Sequence, residues 1–237
     1  MKKTEEKSYS NIILHIPHAS VAGLGNARWD DKVGLIREVK RWTDWYTDLI
    51  FVPANRPEVK SITADYSRFV VDVERLEDDP LEEIGQGIIY TQFKDLKRNI
   101  NEDERQGLMG YYQSYIKQLK SMLNERSLLI DCHSFPSELS DVDICIGVNE
   151  DWSSPTDFVI ELVAEVFKQF GFSVRINHPY SNAIAPQTNF AYNSIMIELN
   201  KRIYWNEQTL ELTESVNKVR TTLDRLYMLL LNYNEEV

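Results

Sequence analysis

The feature that most limits the fold is a set of short apolar runs, each closed by a proline or by charged and imidazole side chains. Residues 11–16 (NIILHI) stop at Pro17, 127–130 (SLLI) run straight into Asp131-Cys132-His133-Ser134, and 194–199 (SIMIEL) close on Glu198-Leu199-Asn200. Runs of this length and composition read as strands. Residues 142–148 and 172–176 predict two more, and 61–73 (SITADYSRFVVDV) an extended segment with Arg68 inside it. Between them lie stretches of helical period. Across 30–51 the apolar residues Val33, Ile36, Val39, Trp42, Trp45, Tyr46 and Leu49 step by threes and fours until Pro53 closes the segment. Residues 91–126 predict a second helical region, with Gly107 and Gly110 as places for a break. Residues 156–170 predict a helix opened by Ser154-Pro155, and 207–234 a C-terminal helix. The acid-rich stretch 74–90, with Pro80, Gly85 and Gly87, predicts a long surface loop whose charges face solvent. Strands alternating with helices predict a single α/β domain spanning 1–237, its sheet mixed but largely parallel and covered by helices on both faces.

That architecture says where chemistry belongs, because ligands sit beyond the carboxyl ends of the strands. Four such ends stand out: His15 to Ser20, Ser67-Arg68 with Arg75 soon after, Asp131 to Ser134, and Glu198 to Asn200. Of only four histidines (15, 18, 133 and 178), His18 and His133 directly follow apolar strands, the position from which two imidazoles and a carboxylate bind a catalytic zinc. His15 falls within the strand pattern and reads as a strand residue. Glu198 reads either as a partner of nearby Arg202 or as a general base toward a metal-activated water. Arg68 reads as an ion-pair partner of an acid, or as a guanidinium fork for a substrate carboxylate or a developing oxyanion. A Cys132–His133 nucleophilic pair is excluded, because neighbours on a strand point to opposite faces.

Composition narrows the partners. With 26 Lys and Arg against 37 Asp and Glu, the net charge of −11 repels phosphate backbones and anionic lipid, so neither nucleic acid nor a membrane surface is expected as a partner. Two cysteines, Cys132 and Cys145, make no disulfide framework, and no stretch approaches the roughly 20 apolar residues of a spanning helix. The charged start, with no apolar segment behind it, adds to the expectation of a cytoplasmic protein.

Five segments in order, ILHIPHAS, RWTDWYTDLIF, SRFVVDVER, DCHSF and IMIELNKRIY, resemble the N-formylglutamate amidohydrolase family over about residues 12–205. The resemblance implies a zinc-carboxypeptidase-like α/β fold, akin to the aspartoacylases, with one divalent metal, zinc by preference, at the strand ends. It implies His18 and His133 as metal ligands. The carboxypeptidase pattern would put an acid three residues after the first histidine, where this chain has Val21, so the third ligand is assigned to Asp44 of the TD pair, with Asp131 as the alternative. Glu198 matches the general base. Arg68, Arg75 and Arg202 match basic positions facing a substrate carboxylate or the scissile carbonyl. A Gly-rich segment with an arginine, which often precedes the last strand, is replaced here by Asn177-His178-Pro179-Tyr180-Ser181-Asn182-Ala183-Ile184-Ala185-Pro186, with Asn177 as a substrate-contacting residue. The implied reaction is hydrolysis of a small N-acyl amino acid carrying a carboxylate, N-formyl-L-glutamate to formate and glutamate first among them. The alternatives are another N-acyl amino acid, a short peptide, or a non-catalytic metal- or anion-binding role.

Overall fold

The computed structural model describes residues 8–233. Its centre is a six-stranded sheet made of β1 (Asn11–Ile16), β2 (Val59–Thr63), β3 (Ser127–Phe135), β4 (Ile144–Gly147), β5 (Val174–Ile176) and β6 (Asn193–Asn200). The order across the sheet is β2-β1-β3-β6-β4-β5. All neighbours run parallel except β4 against β6, giving the mixed, largely parallel sheet that the apolar runs imply.

Helices cover both faces, and the two-residue period of the strands decides what each face receives. Leu128, Ile130 and Cys132 of β3, with Ile195, Ile197 and Leu199 of β6, enter one large core together with residues from helices α4 (Asp157–Gln169) and α5 (Val216–Asn232). The intervening side chains face the other way. There Ile13 and Leu129 pack with Tyr112, Tyr115 and Leu119 of helix α3 (Glu102–Met122). Further along the same strands this second face turns polar, carrying His15, Asp131, His133 and Glu198, all buried. Cys132 therefore points into the opposite core, as strand alternation requires.

The chain departs from the expected elements in places that matter. Residues 30–51 are not one helix: α1 (Lys32–Trp42), with Asp31 accepting from the Val33 and Gly34 amides, ends at Thr43, and a short α2 (Thr47–Ile50) follows. Leu35 and Val39 are buried, whereas Val33 and Ile36 face solvent, so of the apolar steps in this helix Val39 lies on the buried face and the first two do not. The sequence 91–126 opens with a hairpin, Gln92–Phe93 against Leu96–Asn99, and α3 then runs unbroken through Gly107 and Gly110. Around both glycines there is open space, so nothing forces a break. The loop 74–90 contains a 3-10 turn at Pro80–Ile84. The C-terminal helix begins at Val216, after a small ribbon pairing Trp205–Asn206 with Glu211–Leu212.

Candidate active site

Register brings the strand-end residues together. His15 is paired with Asp131 across β1 and β3, and His133 with Glu198 across β3 and β6. His18 follows in the turn after β1. Asp44 arrives from a different direction: α1 stops at Thr43, and the Asp44 amide then donates to the His18 carbonyl at 3.0 Å. The Asp44 carbonyl accepts from the Thr47 hydroxyl at 2.8 Å, and Tyr46 takes a left-handed φ of 64° in the turn. The helix break aims this carboxylate inward.

The result is a pair of imidazoles, ring centroids 5.0 Å apart, with carboxylates at both edges. At one edge, Asp44 Oδ2 lies 3.7 Å from His18 Nδ1 and 3.1 Å from His133 Nδ1. At the other, His18 Nε2 is 2.7 Å from Asp72 Oδ1, and His133 Nε2 is 2.9 Å from Asp131 Oδ1. Asp131 Oδ1 also takes His15 Nδ1 at 2.7 Å, and its Oδ2 accepts from the Ile184 amide at 3.1 Å.

Asp72 is the most heavily used acceptor of the group. Its Oδ1 takes His18 Nε2 and the Glu74 amide, and its Oδ2 takes the Tyr90 hydroxyl at 2.9 Å and Arg68 Nη2 at 3.2 Å. Burial pushes the pKa values of Asp44, Asp72 and Asp131 up, but the facing imidazoles, and for Asp72 also the guanidiniums of Arg68 and Arg75, more than reverse this and hold all three well below the usual carboxylate range. Glu198 is the opposite case. It is 7% exposed, its Oε2 has no hydrogen-bond partner, and burial, with Asp44, Glu74 and Asp131 adding to it against His133, pushes its pKa up to about 8.

These groups open into a cavity of about 520 Å³ lined by Asp44, Arg68, Glu74, Arg75, His133 and Glu198, with Trp42, Tyr90, Tyr180 and Ser181 among the surrounding walls. The set His18, Asp44 and His133 could hold a divalent cation: the three are buried, and their donor atoms lie within 4.8 Å of one another. Tetrahedral zinc with bonds of about 2.0–2.1 Å separates its donors by roughly 3.4 Å, and 3.1 and 3.7 Å bracket that spacing. His18 Nδ1 is buried without a hydrogen-bond partner, while its Nε2 is committed to Asp72. An imidazole fixed at one nitrogen by a carboxylate and left bare at the other is the arrangement of a metal-binding histidine.

The sequence profile of the N-formylglutamate amidohydrolase family matches residues 10–205. The chain belongs to this family. As a member it is a hydrolase of amide bonds. Its fold is similar to that of N-formylglutamate amidohydrolase from Ralstonia eutropha JMP134, with a TM-score of 0.72 at 19% identity over 94% of each chain. It is also similar to a gene product of Agrobacterium tumefaciens, with a TM-score of 0.64 at 16% identity over 94% of this chain and 90% of that one. No curated protein matches it in sequence.

Two residues expected to face substrate in this amidohydrolase lie outside the cavity. Arg202 is turned toward the surface, where Nη2 and Nε meet Asp143 Oδ1 at 2.9 and 3.1 Å and Nη2 also reaches the Asp141 carbonyl. Local pairing, not proximity to Glu198 in sequence, decides its direction. Asn177 is exposed with a φ of 52°, and its Oδ1 accepts from the Val148 amide at 2.8 Å, so it shapes the turn after β5. From the same segment, Tyr180 and Ser181 reach the cavity instead. Four other residues of the site are ones that neither pattern nor resemblance singles out for chemistry: His15, Asp72, Glu74 and Tyr90. The available signal for Asp72 is a lone acid between Val71 and Val73 in an apolar run, the same pattern as Asp131.

Proposed function

We propose that the chain is a metal-dependent amidohydrolase that releases the acyl group from a small N-acyl amino acid carrying a carboxylate, with N-formyl-L-glutamate the first substrate to test. The observation that carries this reading is the convergence of His18 Nδ1 and His133 Nδ1 on Asp44 while Asp72 and Asp131 hold the opposite ring edges. In this reading His18, His133 and Asp44 hold the cation, and Asp131 serves His133 from behind. A divalent cation there supplies Lewis acidity toward a carbonyl oxygen and toward water.

The remaining work falls to side chains of the cavity. Glu198, unpaired and aligned with His133 across the strands, takes the proton of the attacking water and returns it to the leaving amine. Arg68 is anchored by Asp72 and Tyr90, and its position suits the oxyanion that develops as the amide carbon becomes tetrahedral. Arg75 makes only longer ion contacts, 3.6 Å to Asp72, 3.7 Å to Glu74 and 3.6 Å to Asp79, which leaves its fork for a substrate carboxylate. Membership of the amidohydrolase family supports this choice of substrate. Formate release from N-formyl-L-glutamate by protein of measured metal content tests it. Release should follow metal occupancy, and Glu198→Gln should keep the metal while cutting turnover at least about a hundredfold. Turnover unchanged by that substitution would remove Glu198 from proton transfer.

A further inference from the structure

We infer that Glu74 sets substrate charge: it disfavours a second carboxylate on the substrate, so that the cavity takes N-acyl amino acids with one negative charge ahead of the dicarboxylate N-formyl-L-glutamate. This rests on the amide-hydrolysis reading above and deepens it. The sequence places Glu74 at the head of an acidic stretch that reads as solvated surface. In the folded chain its carboxylate is instead a wall of the cavity, with the side chain 20% exposed.

Its surroundings are unusual for an acid. Glu74 Oε2 lies 3.5 Å from His18 Nε2, 3.8 Å from Arg68 and 3.7 Å from Arg75, and Oε1 lies 3.6 Å from His133 Nε2. Each of these groups has a closer acid or a comparable one: Asp72 for His18 and Arg68, Asp131 for His133, Asp79 for Arg75. Glu74 therefore completes no pairing that would otherwise be missing. It occupies, as an anion standing among two guanidiniums and two imidazoles, the kind of place a substrate carboxylate would take.

Glu74 also stands with His18 and Asp72, and with Asp131 and His133, in groups whose donor atoms are close enough to share a cation, so zinc affinity belongs in the test. The ring nitrogen that His18 turns toward Glu74 is the one already bound to Asp72 at 2.7 Å, while the bare Nδ1 faces Asp44. Two carboxylates at contact distance in a partly buried cavity repel strongly. A substrate can place one carboxylate on the Arg75 fork, and a second adds a further anion to a cavity that already carries Asp44, Glu74 and Glu198 on its walls.

N-formyl-L-glutamine and N-formyl-L-glutamate differ in this one charge at nearly constant shape. The test compares kcat/KM for both in zinc-loaded wild type and Glu74→Gln, with zinc affinity measured by chelator competition. Wild type should favour the glutamine derivative, and Glu74→Gln should shift the preference toward the glutamate derivative by about tenfold or more, with zinc affinity held within about threefold. A preference unmoved by the substitution overturns the inference, and so does loss of zinc, which would make Glu74 part of the metal centre. Calorimetric binding of glutamine and glutamate to the same two proteins decides the point independently of turnover. If neither formyl compound is hydrolysed, the proposed reaction fails, yet a tenfold shift in the glutamate-to-glutamine affinity ratio still sustains the role of Glu74. An unchanged ratio, or no binding of either amino acid, overturns it.

Discussion

Asp72→Asn is the substitution for which the structure gives the sharpest expectation. Both oxygens of Asp72 are saturated by donors: His18 Nε2 and the Glu74 amide on one, the Tyr90 hydroxyl and Arg68 on the other. An asparagine must turn an NH2 group toward one of these pairs. Facing Arg68, it sets donor against donor, because a guanidinium cannot accept. Facing His18, it forces the ring proton from Nε2 to Nδ1, the nitrogen that points at Asp44. Neither rotamer is neutral.

The cost follows from which contacts are lost. Asp72 is fully buried, and the side chains of Arg68 and Arg75 are each 17% exposed, so removing the charge leaves two guanidiniums short of their anion. Breaking a buried pair from one side costs about 3–5 kcal/mol. Loss of the carboxylate behind a metal-binding histidine weakens metal affinity about 10–100-fold. Urea unfolding of the metal-free protein measures the first quantity and zinc competition with a chelator the second. Glu165→Gln serves as a control. Glu165 is an exposed helix residue paired with Lys168, and the change should alter stability by no more than about 0.5 kcal/mol. If Asp72→Asn costs less than about 1 kcal/mol and binds zinc as wild type does, the reasoning about the Asp72 network is wrong.

Two further expectations follow from the same site. His15 touches Asp131 and not the metal-facing edge, so His15→Leu should weaken zinc binding about 10–100-fold through Asp131 and His133, while His15→Asn, whose amide can donate where Nδ1 does, restores it; equal zinc affinity in both variants would show that His15 only fills space. Metal-free protein should lose stability as pH rises from about 5.5 to about 8.5, because Glu198 and His133 both hold protons more tightly folded than unfolded, so the unfolded state binds fewer protons across that window. A urea midpoint that stays level or rises over the same interval contradicts the arrangement of charge around Glu198.

The sheet was legible in the sequence because its evidence is local. Apolar runs of four to eight residues rich in Ile, Leu and Val mark strands whatever surrounds them, and the polar residues that end them fall on one face by the two-residue period alone. Hence His133 and Glu198 could be placed in a shared site from spacing, and Cys132 could be removed from it. The helices were legible as existing but not as bounded. Nothing in the sequence 30–51 announces that Thr43 ends a helix, since the apolar steps continue through Trp45, Tyr46 and Leu49. The break is tertiary: it is held by the Asp44 amide on the His18 carbonyl and by Lys201, a buried cation 157 residues downstream of Asp44 whose ammonium reaches the Arg41 carbonyl.

That break explains why residue pattern alone does not point to Asp44, which the family resemblance supplies. A ligand set carried on one strand-turn keeps its members a fixed few residues apart, and here the position three after His18 is Val21, 41% exposed. The carboxylate that lies beside both imidazoles comes instead from a helix end, and its distance along the chain from His18 reflects the length of α1 and not the geometry of the site. Asp131 is the locally plausible alternative, because it lies two residues from His133 on the same strand face. Yet its carboxylate reaches the Nε2 edge of that ring, where His15 also holds it, whereas Asp44 faces the Nδ1 edges of both rings at once. Which acid faces which ring nitrogen is a property of the folded backbone. Strand residues can therefore be assigned to this kind of site by pattern, while a residue delivered by a helix terminus needs the packing that stops the helix.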